Sequence, residues 1–255
     1  MKLGAQLYSV RTHLENEADC RASFARLAKM GYENVQLSGA AALTPEIWRD
    51  ISDESGLAIV GTHSSFSRIV EDTDAIIAEH KTMNCPVIGL GGMPKEYRNT
   101  LEGLEAFFGV MEEPVKKIRA AGLNFSYHNH NFEFVIPEGS DKTIYDIMLE
   151  SQTDWHFILD TYWVEFAGYN AIEYMKKVGG KRLVNIHYKD MARDEDRSIC
   201  ACGQGQLDFK AITDLCLELG VVNALVEQDN AVKFDAFEQM NISFDHLRPI
   251  VPKEN

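Results

Sequence analysis

Ala121-Gly122-Leu123-Asn124-Phe125-Ser126-Tyr127-His128-Asn129-His130 holds the plan of the whole chain in miniature. A helical stretch closes on a glycine, a short apolar run follows, and imidazoles finish the run. Glycine suits the residue just past a helix because a left-handed backbone costs it least. The same order recurs on both sides: Met30-Gly31 before Glu33 to Leu37, Ser55-Gly56 before Leu57 to Gly61, Gly179-Gly180 before Leu183 to Ile186, and Leu219-Gly220 before Val221 to Val226. Apolar runs without the glycine complete a set of eight predicted strands, at 3–7, 34–37, 58–62, 87–90, 123–128, 156–160, 183–187 and 224–227.

The segments between these runs carry helical periodicity. Cys20, Phe24, Leu27 and Ala28 form one stripe, and Phe209, Ile212, Cys216 and Leu219 another. The longest comprises Leu101, Leu104, Phe108, Met111, Val115 and Ile118, with Pro114 predicting a kink or a split into two helices. Strands apolar on both faces and separated by helices imply a parallel sheet under a helical cover. Eight strand-helix units in 255 residues, about 32 residues each, match a closed barrel. The fold class is therefore α/β, a (β/α)8 TIM barrel, with residues 1–255 as a single domain. An open doubly wound sheet is the alternative, but Gln6-Leu7-Tyr8-Ser9 stands where its glycine-rich phosphate loop would follow the first strand.

Composition narrows the partners. Hydrophobic residues make up 45% and charged residues 25%, which suits a folded domain. Lys and Arg total 25 against 39 Asp and Glu, a net charge of −14 that repels nucleic-acid phosphates. No run approaches the roughly 20 apolar residues that cross a bilayer, and Met1 to Gly4 shows no signal-peptide pattern, so the expectation is a cytoplasmic protein with no membrane and no nucleic-acid partner. Five scattered cysteines predict free thiols in a reducing compartment. Cys200-Ala-Cys202 alone looks paired, and it lacks a second pair at zinc-site spacing.

Chemistry in such a barrel sits at the carboxyl ends of the strands. There the chain places His63, His128-Asn129-His130, Asp160, His187 followed by Lys189-Asp190, and Glu227 followed by Asp229. An Asp, a His and a Glu from consecutive strands, joined by a fifth-strand side chain, form an oxygen and nitrogen set suited to one divalent ion: Mn, Co, Mg or Zn. Asp160 also fits a helix N-cap, Glu227 a partner for Lys189, and His187 a hydrogen-bonded barrel histidine. On the fifth strand, alternation puts His128 and His130 on one side and Glu133 on the other. Either His128 or Glu133 completes the metal sphere, leaving the other for proton transfer. His130 fits a substrate contact or a structural role.

Several segments, in order, carry a resemblance: Gly4 to Arg11, Tyr127 to Phe134, Leu159-Asp160-Thr161-Tyr162-Trp163, His187-Tyr188-Lys189-Asp190, Gly203-Gln204-Gly205-Gln206-Leu207-Asp208-Phe209, and Val226-Glu227-Gln228-Asp229. Over nearly its whole length the sequence resembles the sugar-phosphate isomerase/epimerase-like proteins with a xylose-isomerase-like TIM barrel. The resemblance implies one divalent metal held by a strand-5 carboxylate and by Asp160, His187 and Glu227. His128 stands where epimerases carry Glu, Trp163 where many relatives carry His, and Gln204 in place of a frequent Glu.

The implied reaction is isomerisation or epimerisation of a ketose or keto-sugar through an enediolate. Glu227 acts as base, His128 or Glu133 returns the proton, and Lys189 steadies an oxyanion or Glu227. His63, His130 and Asn129 contact substrate, and Trp163 and Tyr8, with Phe132 and Phe66, offer apolar faces to a sugar. A lyase or dehydratase acting on a keto-glycoside or keto-inositol is the alternative, and a non-catalytic sugar-binding barrel the third. The expected partner is a small carbohydrate, without phosphate because no P-loop-like or Arg-rich segment is present, and pairing into a homodimer is expected.

Overall fold

A computed structural model describes residues 1–252. Eight parallel strands close into a barrel: β1 (Lys2–Gln6), β2 (Asn34–Leu37), β3 (Ala58–Ser64), β4 (Val87–Leu90), β5 (Asn124–His128), β6 (His156–Asp160), β7 (Leu183–Tyr188) and, closing on β1, β10 (Asn223–Val226). Between β7 and β10 a short antiparallel ribbon, β8 (Asp190–Met191) with β9 (Ile199–Cys200), rises from the rim; nothing in the sequence reading anticipated it. The helices are α1 (Glu17–Met30), α2 (Pro45–Ser55), α3 (Phe66–Glu71), α4 (Thr73–Thr82), α5 (Leu101–Ala120), α6 (Ile144–Ser151), α7 (Thr161–Phe166), α8 (Ala171–Val178), α9 (Phe209–Leu219) and α10 (Ala236–Leu247).

Each predicted strand is present, with ends moved by a residue or two. Gly31, Gly56 and Gly220 cap their helices in the left-handed conformation that the repeating pattern required. At Pro114 the split into two helices does not occur: α5 runs unbroken through it for 20 residues, and the ring is buried among the helix's core side chains. Packing against the barrel outweighs the single lost backbone bond. Among the described residues, no helix is long and apolar enough to cross a membrane.

Strand alternation sorts the barrel interior into layers. Its lower layer is an amide ladder: Asn34 donates to Asn223 (2.8 Å), Asn223 to Asn185 (3.0 Å), and Asn185 to the Val60 carbonyl (3.4 Å). Two residues further along the same strands stand Gln36 and His187, at the mouth. The lower ladder needs space that only glycine leaves. A methyl at Gly4 would fall 1.7 Å from Asn34 Oδ1 and 2.7 Å from Leu225 Cδ2. Gly4→Ala should therefore destabilise the fold by about 1–3 kcal/mol through overpacking. A urea midpoint unchanged from that of the parent chain would contradict this account of the ladder.

Candidate metal centre and substrate pocket

The upper layer brings His128, Asp160, His187 and Glu227 together from the ends of β5, β6, β7 and β10, with one ligand atom from each lying within 4.8 Å of the others. His128 Nε2 is 3.5 Å from Asp160 Oδ2 and 3.9 Å from Glu227 Oε2. His187 Nδ1 is 2.9 Å from Glu227 Oε2 and 3.9 Å from Asp160 Oδ2. All four side chains are buried. His128 Nε2, Asp160 Oδ2 and His187 Nδ1 make no hydrogen bond of good geometry among the described residues, and what they meet is one another, Glu227 and Lys189. Buried polar atoms are rarely left so. Three of them converging on one point fit a cation, and two imidazoles with two carboxylates match a borderline divalent ion.

Neighbouring groups aim three of the four side chains. Gln36 Oε1 lies 2.6 Å from His187 Nε2; with the proton on Nε2, Nδ1 turns its lone pair to the centre. Asp160 Oδ1 accepts from the Trp163 N–H (3.1 Å) to cap α7, as the N-cap reading expects, while Oδ2 faces the cluster. Gln6 Nε2 donates to Glu227 Oε1 (2.9 Å). Gln6 and Gln36 escaped the sequence reading, although both fall at inward-facing strand ends, where alternation could have found them. Asn129, expected to touch substrate, is committed elsewhere. It is fully buried, its Oδ1 accepts from the Asp160 N–H (3.0 Å), and its Nδ2 reaches the Asp160 carbonyl (3.5 Å).

Lys189 supplies the positive charge. Its Nζ lies 2.8 Å from Asp229 Oδ2 and 3.4 Å from both Glu227 Oε2 and Asp160 Oδ2. Burial opposes its charge, but the three carboxylates prevail and hold it protonated well above the usual lysine range. Glu227 is likewise penalised by burial, yet Lys189 and His187 hold it well below the usual carboxylate range. Against these three carboxylates and one ammonium, a divalent ion restores neutrality. Without one the protein protonates an imidazole: burial lowers the His187 pKa, but Glu227 and Asp160 outweigh it and lift the value to about 9. His63 and His130, dominated by burial, are neutral, with His130 pushed down to about 3.

A cavity of about 260 Å³ opens over this centre, just below the usual range for drug-sized ligands. Tyr8, His63, His128, His130, Lys189 and Glu227, all singled out from sequence, line it. The His63 ring lies 4.9 Å from that of His128 and 5.6 Å from that of His187, close enough for these three to form an alternative ion-holding group. Trp163 stands behind, its ring 5.4 Å from His130 and 5.1 Å from Lys189 Nζ. Asp190, which follows Lys189, accepts backbone N–H groups from Met191, Gly203, Gly205, Gln206 and Leu207. That wheel of bonds explains the Gly203-Gln204-Gly205 segment, since a methyl on Gly205 would fall 2.3 Å from Asp190 Oδ1.

Glu133 corrects one of the two fifth-strand alternatives. The chain turns into a short 3-10 helix at Phe132–Phe134, and Glu133 lies outside the four-residue cluster, fully buried. It accepts from Tyr127 Oη (2.5 Å) and the His130 N–H (2.8 Å). Tyr127 Oη in turn accepts from the Met93 N–H (2.8 Å), so this carboxylate ties the loops after β4 and β5 together behind the histidines. Burial outweighs the hydrogen bonds from Tyr127 and His130 and lifts its pKa to about 7. An unfolded glutamate releases its proton near 4.3. The folded chain thus binds the extra proton between these values, and the associated stability, complete below about pH 4, is lost as pH rises toward 7. Glu133→Gln should flatten this part of the stability profile. Urea melts at pH 5 and 7.5 that change equally in variant and parent would refute the assignment.

No family model and no curated protein matches the chain. Its backbone is nonetheless similar along nearly its whole length to solved structures. A sugar phosphate isomerase/epimerase from Parabacteroides distasonis ATCC 8503 has 23% identity and a TM-score of 0.81, over 99% of this chain and 100% of that one. The IolI protein, described with a zinc atom, has 15% identity and a TM-score of 0.76, over 98% of each chain. The probable 3-DHS dehydratase AsbF of Bacillus anthracis has 12% identity and a TM-score of 0.74, over 97% of this chain and 99% of that one. At these identities the likeness establishes a shared barrel fold.

Proposed function

We propose that the chain is a divalent-metal-dependent sugar isomerase that removes a proton beside the carbonyl of a ketose or keto-sugar and moves the carbonyl to the neighbouring carbon through an enediolate. The observation that carries this reading is the convergence of one ligand atom each from His128, Asp160, His187 and Glu227 under a small polar cavity. These four residues would hold the ion. When bound, it supplies Lewis-acid polarisation of the carbonyl and so lowers the barrier to losing the adjacent proton.

The chain's own groups divide the remaining work. Glu227 is ionised, borders the cavity and is steadied by Gln6, which suits it to accept the carbon-bound proton and return it one carbon along. Lys189 offsets negative charge as it builds on the substrate oxygen. His63 and His130, neutral and with buried unpartnered ring nitrogens, face the substrate hydroxyls. With Glu133 turned away, the β3 and β5 side presents imidazoles to the cavity in place of a second carboxylate, which favours one-base transfer over the opposite-face return of an epimerase.

That same feature supports a second reading, elimination from a keto-glycoside or keto-inositol, because deprotonation beside a ketone also starts that reaction. Incubation of the Mn²⁺-loaded protein with keto-sugars in D₂O separates the two by NMR. Solvent deuterium on an intact skeleton supports isomerisation, and an unsaturated or cleaved product supports elimination. Glu227→Gln should lower turnover by about 10²-fold or more; full activity would place the base elsewhere. Asp160→Asn keeps a capping oxygen for α7 but loses the ligand charge. Metal affinity should fall by about 100-fold with little change in fold, and unchanged calorimetric binding of Mn²⁺ would remove Asp160 from the ligand set. A parent chain that binds no divalent ion would instead be read as a sugar-binding barrel.

A further inference from the structure

Beside the metal cavity lies a second one of about 370 Å³, bounded by the 38–43 segment after β2 and by α2 and α4. Ser38 and His63 line both, so the two cavities border one another across these residues. Alternation along β3 produces the junction. His63 points inward to the metal centre, while Thr62 and Ser64 point outward, 2.9 Å apart, with Thr62 also 2.9 Å from His80 Nε2. Apolar side chains of Trp48, Ile76 and Met83 line the second cavity as well. Residues 39–42, Gly-Ala-Ala-Ala, line it with small side chains or none.

The chemistry of the walls selects the occupant. Arg68 is the cation there, but Glu79 (2.9 Å) and Asp72 (3.3 Å) already match its charge. A phosphate would have to compete with both carboxylates. Hydroxyl-bearing Ser38, Ser64 and Ser65 beside apolar Trp48, Ile76 and Met83 instead suit a neutral ring with polar edges. We infer that the second cavity receives a glycosyl ring attached to the keto-sugar in the metal cavity, so that the substrate class is a keto-sugar glycoside larger than a free monosaccharide. This rests on the reading of the metal cavity as a keto-sugar site, and it assigns His63 to the junction between the two rings.

The test compares matched probes on the full Mn²⁺-loaded chain by calorimetry: D-fructose against isomaltulose, and 3-keto-glucose against 3-keto-cellobiose. In at least one pair the disaccharide should bind about 10-fold more tightly than its monosaccharide. Ala42→Trp, at an exposed position of the second cavity's lining, should erase that gain and leave the monosaccharide Kd within about 2-fold. Ala41→Phe provides a second obstruction from the adjacent position. Equal affinities within both pairs would overturn the inference, as would a gain that survives both substitutions. Deuterium exchange followed in the same samples keeps the two readings distinct. A binding gain without exchange retains the second ring site and sinks the isomerase reading, whereas exchange with equal affinities does the reverse.

Discussion

Burying two carboxylates side by side is the constraint on which this structure depends. Asp160 is fully buried and Glu227 nearly so, and ionised carboxylates in such surroundings require cations and hydrogen bonds to persist. Lys189 alone cannot balance them, because Asp229 claims the shortest of its three contacts. The remaining negative charge is answered by an imidazolium at His187 or by a divalent ion. Barrel closure makes the problem and supplies its solution. It sets Asp160 opposite His187 in register across β6 and β7, and carries β10 alongside to deliver Glu227.

Much of this was legible in the chain itself. The helix, glycine and strand cadence fixes the order of elements because it states where each helix must stop. The polar tips stand out because they interrupt runs otherwise apolar on both faces. What escaped were directions taken after a strand ends. Nothing in His128-Asn129-His130-Asn131-Phe132-Glu133 announces that the chain turns into a 3-10 helix and carries Glu133 behind the histidines, so alternation alone left two candidates for one position. Asn129 was misread for a related reason: an amide at a strand tip looks equally fit for a sugar hydroxyl and for the neighbouring backbone, and the Asp160 amide claims it. Gln6 and Gln36 went unnoticed because glutamine is ordinary at a surface, and only their inward register gives them a role.

Burial is shared around the cavity, but its consequences are not. Lys189 keeps its proton and Glu227 stays ionised because opposite charges lie within a few ångströms, whereas burial dominates at His63 and His130 and keeps them neutral. The mouth therefore has a charged side, built from β6, β7 and β10, and a neutral side, built from β3 and β5. A polyol carrying one carbonyl meets these sides differently. Its carbonyl end gains most where charge can be stabilised, and its hydroxyls lose least where neutral ring nitrogens replace water. In the proposed reading the same asymmetry would direct the bulk of a larger sugar toward β3, the strand whose outward residues line the second cavity. In the proposed reading, orientation of the reacting carbon over Glu227 and direction of the remainder of the molecule would both follow from one arrangement of charge, set by which strand ends carry acids and which carry imidazoles.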